Sequence, residues 1–276
     1  MNADAPAHAD AFGVSHVGML RKENEDHFVV ATLRKTLTLK HTNVGTSRLL
    51  NAASVPEALL LLVADGVGGN EGGGEASSDA VTAIVEYLAL AAGCFNNLDV
   101  DHEHEFMTKL EVGVRLAHQR IAAVASQGES APATTLTMAL LLSPRAYIVH
   151  VGDSRAMFLR NGRLRVLTRD QTLGEELMDA GALTPEQAAR SRFRDQLTSA
   201  LGGSEMTPSI GLVDLIPNDV LLLCSDGLTK HVSDDRIASI LGQAANAEQL
   251  SLQLVVEALA GGGTDNVSVV VARILA

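Results

Sequence analysis

Short apolar runs broken by Gly, Asp and Asn alternate along this chain with longer stretches of helical periodicity. The clearest run is Leu59–Ala64, which leads straight into Asp65-Gly66 and then Gly68-Gly69. A run of that length without polar alternation predicts a strand buried on both faces. The small residues after it let a loop approach a ligand closely. Phe12–Val17, His27–Thr32, Thr134–Leu142, Ala146–Val151, Arg155–Leu159, Arg163–Leu167, Val220–Cys224 and Val267–Leu275 read as further strands. Asn161-Gly162 between two of them signals a tight hairpin. Apolar residues recur at helical spacing in Glu75–Ala92, Phe106–Val124, Asp234–Leu241 and Ala247–Leu259. Shorter helical pieces follow Asp170, with a helix start and capping-box spacing at Thr184 to Gln187.

Turn-linked strands in blocks separate from the helices predict an α+β fold, not a doubly wound parallel sheet. Two antiparallel sheets packed face to face, with helices outside, would bury all the apolar strands. Residues 1–10 lack periodicity and read as a flexible N-terminal tail. Residues 11–276 then form a single domain, with 34–57 a polar loop or hairpin insertion and 170–201 a surface flap. Asn96–Glu105 reads as an acidic loop. Its His102 and His104 are conceivable metal ligands, but a solvated loop is the plainer reading.

Composition narrows the function. The 276 residues carry a formal net charge of −12, which opposes nucleic acid as a partner. Cys94 and Cys224 lack metal-site spacing and cannot build a disulfide framework. No apolar run approaches the roughly 20 residues of a membrane span, and the N-terminus has no signal-peptide pattern. A cytoplasmic, non-membrane protein is expected.

The candidate chemistry is acidic. Asp65, Asp153, Asp226 and Asp265 each lie beside Gly or in a Gly-rich turn at a strand boundary, and Glu25-Asp26 marks a fifth boundary. Each alone is no more than a turn signal. Carboxylates gathered at one sandwich edge would repel one another unless cations neutralised them. Oxygen ligands select hard cations, Mg²⁺ or Mn²⁺. Two such ions about 3.5–4 Å apart can activate water at neutral pH, and an Arg can grip phosphate in two-pronged fashion. Arg21-Lys22-Glu23-Asn24-Glu25-Asp26 has two readings, an exposed hairpin turn or an anion-binding Arg beside metal-binding acids.

Taken in order, Arg21 with Asn24-Glu25-Asp26, Ala64-Asp65-Gly66 with Gly68-Gly69, Thr134-Thr135, Val151 to Arg155, Cys224 to Leu228 and Gly263 to Asn266 form a specific series. It resembles the metal-dependent Ser/Thr protein phosphatases of type 2C (PPM), bacterial type. The motifs span residues 21–274. The resemblance implies an αββα sandwich of two antiparallel sheets flanked by helices. It implies hydrolysis of phosphoserine and phosphothreonine in proteins by direct attack of a metal-bridging hydroxide, without a phosphoenzyme. Asp65 would bridge two Mn²⁺ or Mg²⁺ ions, and Asp226 and Asp265 would complete one shell. Glu25 and the Gly66 carbonyl would serve the other ion, and Asp26 would accept from metal-bound water. Asp153, with Asp226, matches the place where bacterial members hold a third, looser metal. Arg21 would bind the phosphate, with Asp65 and Asp226 the central catalytic carboxylates. Asn266 would orient Asp265 or a water. The partners implied are phosphorylated proteins, opposing a Ser/Thr kinase, with the enzyme a monomer.

Some positions depart from the family pattern. Val67 stands where animal-type members place a His proposed to protonate the leaving group, so no side chain is assigned that task. Asp170-Gln171 replaces the Asp-His that often opens the flap. Two competing readings are a catalytically silent relative that binds metal or docks partners, and a two-metal hydrolase of small phosphoesters. Arg190, Arg192 and Arg194 are candidates for contact with acidic or phosphorylated substrate, against the plainer reading of a solvated helix face.

Overall fold

The computed structural model describes residues 9–33, 58–67, 72–91, 100–125 and 132–275. The expected tail at residues 1–8, the 34–57 insertion, Gly68-Gly69 and Cys94 lie outside these.

Two antiparallel sheets form the centre. The first runs β1 (Ala9–His16), β11 (Val267–Ile274), β10 (Val220–Cys224), β7 (Arg155–Arg160), β8 (Arg163–Val166) in spatial order. The second runs β2 (Asp26–Leu33), β3 (Ala58–Val67), β5 (Leu136–Leu142), β6 (Arg145–Val151), β9 (Ser209–Asp214), with the short β4 (Ala133–Thr134) also on β3. Helices α1 (Gly73–Ala91) and α2 (Val100–Ala125) cover the second sheet. The first is covered by α5 (Asp226–Thr229), α6 (Asp234–Leu241) and α7 (Ala247–Ala260). Between β8 and β9 lie α3 (Leu173–Asp179) and α4 (Pro185–Ala189).

Strand alternation builds this stack. Leu60, Leu62 and Ala64 of β3 pack toward α1 and α2, whereas Leu61 and Val63 face the other sheet. On the opposing sheet Leu221, Leu223, Val270 and Ala272 fill the gap between sheets, and Leu222, Val269 and Val271 meet the outer helices. Both faces are thus apolar, which is why these strands read as unbroken hydrophobic runs. The fold is α+β, as the periodicity predicts.

Several boundaries differ from the sequence reading. Ala9 and Asp10 belong to β1, not to the tail: Asp10 Oδ2 accepts the Ala247 N–H at 2.7 Å and so holds the start of α7. Of the acidic stretch 96–105, residues 100–105 are the first turns of α2, not loop. There Glu103 pairs with Arg145 at 2.6 Å and accepts from Tyr147 at 2.9 Å. The Arg21–Asp26 knot is no hairpin turn, because β1 pairs with β11 and β2 with β3. β3 does not stop before Asp65 but runs to Val67, pairing Gly66 and Val67 with β4. β9 and the short α5 were not foreseen.

Candidate functional site

The register of the second sheet makes the first approach. Asp26 stands directly opposite Asp65 in the β2–β3 ladder. At the same level β3 exchanges one neighbour, β5, for the short β4, and Thr135 sits between those two strands. Thr135 fixes Asp65 from both sides of its backbone. Its hydroxyl accepts the Asp65 N–H at 3.0 Å and its own N–H donates to the Asp65 carbonyl at 2.9 Å. Thr134 Oγ1 donates to the same carbonyl at 2.8 Å. A mispaired strand tip would leave these groups unsatisfied; here they hold the carboxylate in place.

Gly66 has no room for a side chain. A Cβ there would lie 2.3 Å from the Gly73 carbonyl oxygen and 2.9 Å from that of Glu25. Its N–H donates to the Glu25 carbonyl at 3.2 Å, tying β3 to the loop before β2. Ser77 of α1 donates to the same carbonyl at 2.5 Å.

The first sheet brings the remaining acids. Asp226 follows β10 as the first residue of α5, and Asp265 closes the turn before β11. Ser225, between β10 and α5, donates to Asp26 Oδ2 at 2.7 Å, a bond from one sheet to the other. Asn266 makes a second crossing. Its Oδ1 accepts the Glu25 N–H at 2.9 Å, and its Nδ2 donates to the carbonyls of Val17 and Glu23, each at 2.9 Å. Its backbone N–H donates to Asp265 Oδ1 at 3.0 Å. Asp153 enters from the β6–β7 turn, where Gly152 has φ of +104° and a Cβ would meet the Thr135 side chain at 2.6 Å.

The electrostatics follow from this crowding. Burial, then the charges of Asp26, Asp226, Asp153 and Asp265, hold the Asp65 carboxyl well above the usual carboxylate range. Asp26 is pushed up to about 7 and Asp153 to about 8, in each case mainly by burial and further by acidic neighbours. Burial raises Asp226 and Glu25 as well. Asp265 alone among these acids is lowered, by Lys230 and Arg21 acting against its burial.

Two cations of the chain sit among the carboxylates. Arg21 Nε is 2.8 Å from Asp265 Oδ1. Lys230 Nζ lies 2.5 Å from Asp226 Oδ2 and 2.9 Å from Asp265 Oδ2. Among the described residues no three acidic, His or Cys side chains close into a finished cation cage. The chemistry of the donor set nevertheless suits a hard cation. It is all oxygen, its members repel one another, and the buried Asp26 Oδ1 and Asp226 Oδ1 have no hydrogen-bond partner. Oxygens of that kind fit an ion.

Beside this edge lies a cleft of about 330 Å³ bounded by Asp153, Asp226, Lys230, Met178 of α3, Ala188 of α4 and Arg194. Of the three flap arginines, only Arg194 lines the cleft, where it pairs with Asp195 at 2.7 Å; Arg192 stacks on Phe193 at 4.7 Å. Gln171, which stands where the flap of the family often has His, has an anchoring role the sequence did not reveal. Its Oε1 accepts the Gly152 N–H at 2.9 Å, its Nε2 donates to the Thr207 carbonyl at 2.9 Å, and its own N–H donates to the Gly152 carbonyl at 2.8 Å. Lys230 was missed too. Its signal is the i,i+4 spacing from Asp226, legible only once α5 is known to be a helix.

Comparison with known proteins bears on this constellation. The family model for protein phosphatase 2C matches residues 50–256. Serine/threonine protein phosphatase PstP of Mycobacterium tuberculosis is 37% identical over 88% of this chain, which spans only 46% of that protein. Protein phosphatase PhpP of Streptococcus pneumoniae is 32% identical, over 83% of this chain and 93% of its own. Among solved structures, the catalytic domain of PstP in complex with two manganese ions superposes with a TM-score of 0.75 at 31% identity. That match covers 97% of this chain and 99% of the other. Among the described residues no helix is long and apolar enough to cross a membrane.

Proposed function

This chain belongs to the protein phosphatase 2C family, and from that premise we propose that it removes phosphate from phosphoserine and phosphothreonine in proteins. The observation that carries the reading is the meeting of Asp26, Asp65, Asp226 and Asp265 at one sandwich edge, with two buried carboxylate oxygens left unpartnered. Asp65, Asp226 and Asp265, with Glu25 and the Gly66 carbonyl, are the donors for two Mn²⁺ or Mg²⁺ ions. When bound, such ions supply a water nucleophile at neutral pH and neutralise charge on the phosphoryl oxygens.

The chain's own groups do the rest. Arg21 is half-exposed beside Asp265 and spends its Nε on that carboxylate, which leaves its terminal nitrogens to take phosphoryl oxygens. Asp26, held by Ser225, keeps one oxygen free to accept from water. Thr134 and Thr135 fix the Asp65 backbone, and Asn266 fixes that of Glu25. The flap cleft gives the polypeptide around the phosphorylated residue a place to lie, and this favours a protein over a small ester as substrate. The biological partner is then a phosphoprotein made by a Ser/Thr kinase.

The test is turnover of a phosphothreonine peptide and of a nucleoside monophosphate, each with Mn²⁺. The reading expects much faster release from the peptide, and loss of at least 100-fold in Asp226→Asn on removal of one charged ligand. Equal rates on the nucleotide would point instead to a small-ester hydrolase.

A further inference from the structure

Lys230 is absent from every role assigned above, yet its ammonium lies among the acids. It caps the C-terminus of α5, one turn after Asp226, so its side chain returns along the same helix face. Its Nζ contacts both Asp226 and Asp265, two carboxylates that favour the charged amine.

The two oxygens of Asp226 have separate fates. Oδ2 accepts from Lys230 at 2.5 Å, whereas Oδ1 is buried and unpartnered. A cation shared with Asp65 can use Oδ1 while the ammonium keeps Oδ2. Asp265 loses only its 2.9 Å contact to Lys230 if it turns to a cation, since Arg21 and the Asn266 N–H hold its other oxygen.

The cleft side of Asp226 faces a charge imbalance. Of the acids lining the cleft, Asp170 is matched by Arg155 through two bonds of 2.8 and 2.6 Å, Glu175 by Arg169 and Asp195 by Arg194. Asp153 has no ion pair among the described residues. Lys230 lines the same cleft wall as Asp153 and Asp226. Because Lys230 lines the cleft with both acids and already holds Asp226 Oδ2, a divalent cation between Asp153 and Asp226 would sit against an ammonium.

We propose that Lys230 is a built-in counter-ion that takes the place of a third divalent cation on the Asp153–Asp226 side, so that this protein holds two cations and not three. The inference rests on the two-cation reading of the site. It gives the cleft mouth a fixed positive charge independent of cation supply.

The experiment counts Mn²⁺ bound to the whole chain, by equilibrium dialysis with elemental analysis and by calorimetry. Wild type is expected to bind two ions. Lys230→Met should bind three, the added one weakest, and Asp153→Asn in that background should return the count to two. Lys230→Arg, which keeps the charge, should stay at two. Three ions in wild type, or two in Lys230→Met, overturns the proposal while leaving the two-cation reading standing. Fewer than two in wild type overturns both. Thermal melts of each variant with Mn²⁺ separate loss of an ion from loss of the fold.

Discussion

Asn266 carries an unusual share of the site's geometry on one amide. Its Oδ1 and both Nδ2 hydrogens engage the Glu25 N–H and the Val17 and Glu23 carbonyls, so the loop bearing Arg21 and Glu25 is hung from the start of β11. Removing it leaves buried partners unpaired, at a cost of about 1–3 kcal/mol for each one that water does not reach. Asn266→Ala is expected to weaken Mn²⁺ binding by about 10–100-fold, the usual effect of losing a residue that orients metal ligands. Calorimetry with Mn²⁺ checks this, and unchanged affinity would make the amide merely structural. The acids themselves were legible in sequence, because Asp65 and Asp226 lie beside Gly at the ends of apolar runs and Asp265 lies in a Gly-rich turn before one. Lys230 was not. Its partner is set by a helix of four residues, too short to show periodicity.

The flap between β8 and β9 is pinned at its root. Gln171 bonds the Gly152 N–H and carbonyl on one side and the Thr207 carbonyl on the other, and Asp170 takes Arg155 in two-pronged fashion. Glutamine here therefore does what a turn needs: one side chain with both an acceptor and a donor. Gln171→Ala removes two of these bonds and should loosen the segment 172–198 without touching the acids. The expectation is a kcat/KM lower by about thirtyfold on a phosphopeptide, mostly through KM, at about 1 kcal/mol for each of the two lost bonds. Faster amide exchange across α3 and α4 should accompany it; unaltered exchange would sever the flap from this anchor. The capping box at Thr184 and Gln187 was readable in sequence and is formed, the two residues bonding reciprocally. β9 was not readable, because Ser209–Asp214 is a half-exposed edge strand with Gly211 breaking its alternation.

At the scale of the molecule, the apolar runs dictated a four-layer stack, and the polar ends of those runs met at one edge of it. The layers were legible because strands buried on both faces lose their alternation; which strand neighbours which was not, since pairing β1 with β11 joins residues more than two hundred positions apart. Gathering the acids costs stability when no cation is present. Asp26 and Asp153 titrate near 7 and 8 in the fold, against the ordinary carboxylate value of 3.8 when unfolded. Protonated acids suit the cation-free fold, so its stability is fullest below the unfolded value and is lost as pH rises through 7 to 8. In chelator, Tm should fall between pH 5 and pH 8. Saturating Mn²⁺ should restore it at pH 8 by on the order of 5–10 °C, and by less at pH 5, where protons compete for the ligands. A Tm indifferent to both would deny that these carboxylates repel. The most direct test of the account is phosphate release from a phosphothreonine peptide by chelator-treated protein as Mn²⁺ is returned. The account predicts no turnover at the start, saturable recovery as the ions bind, and no recovery in Asp65→Asn. Turnover in chelator, or an Asp65→Asn protein that recovers like wild type, would contradict it.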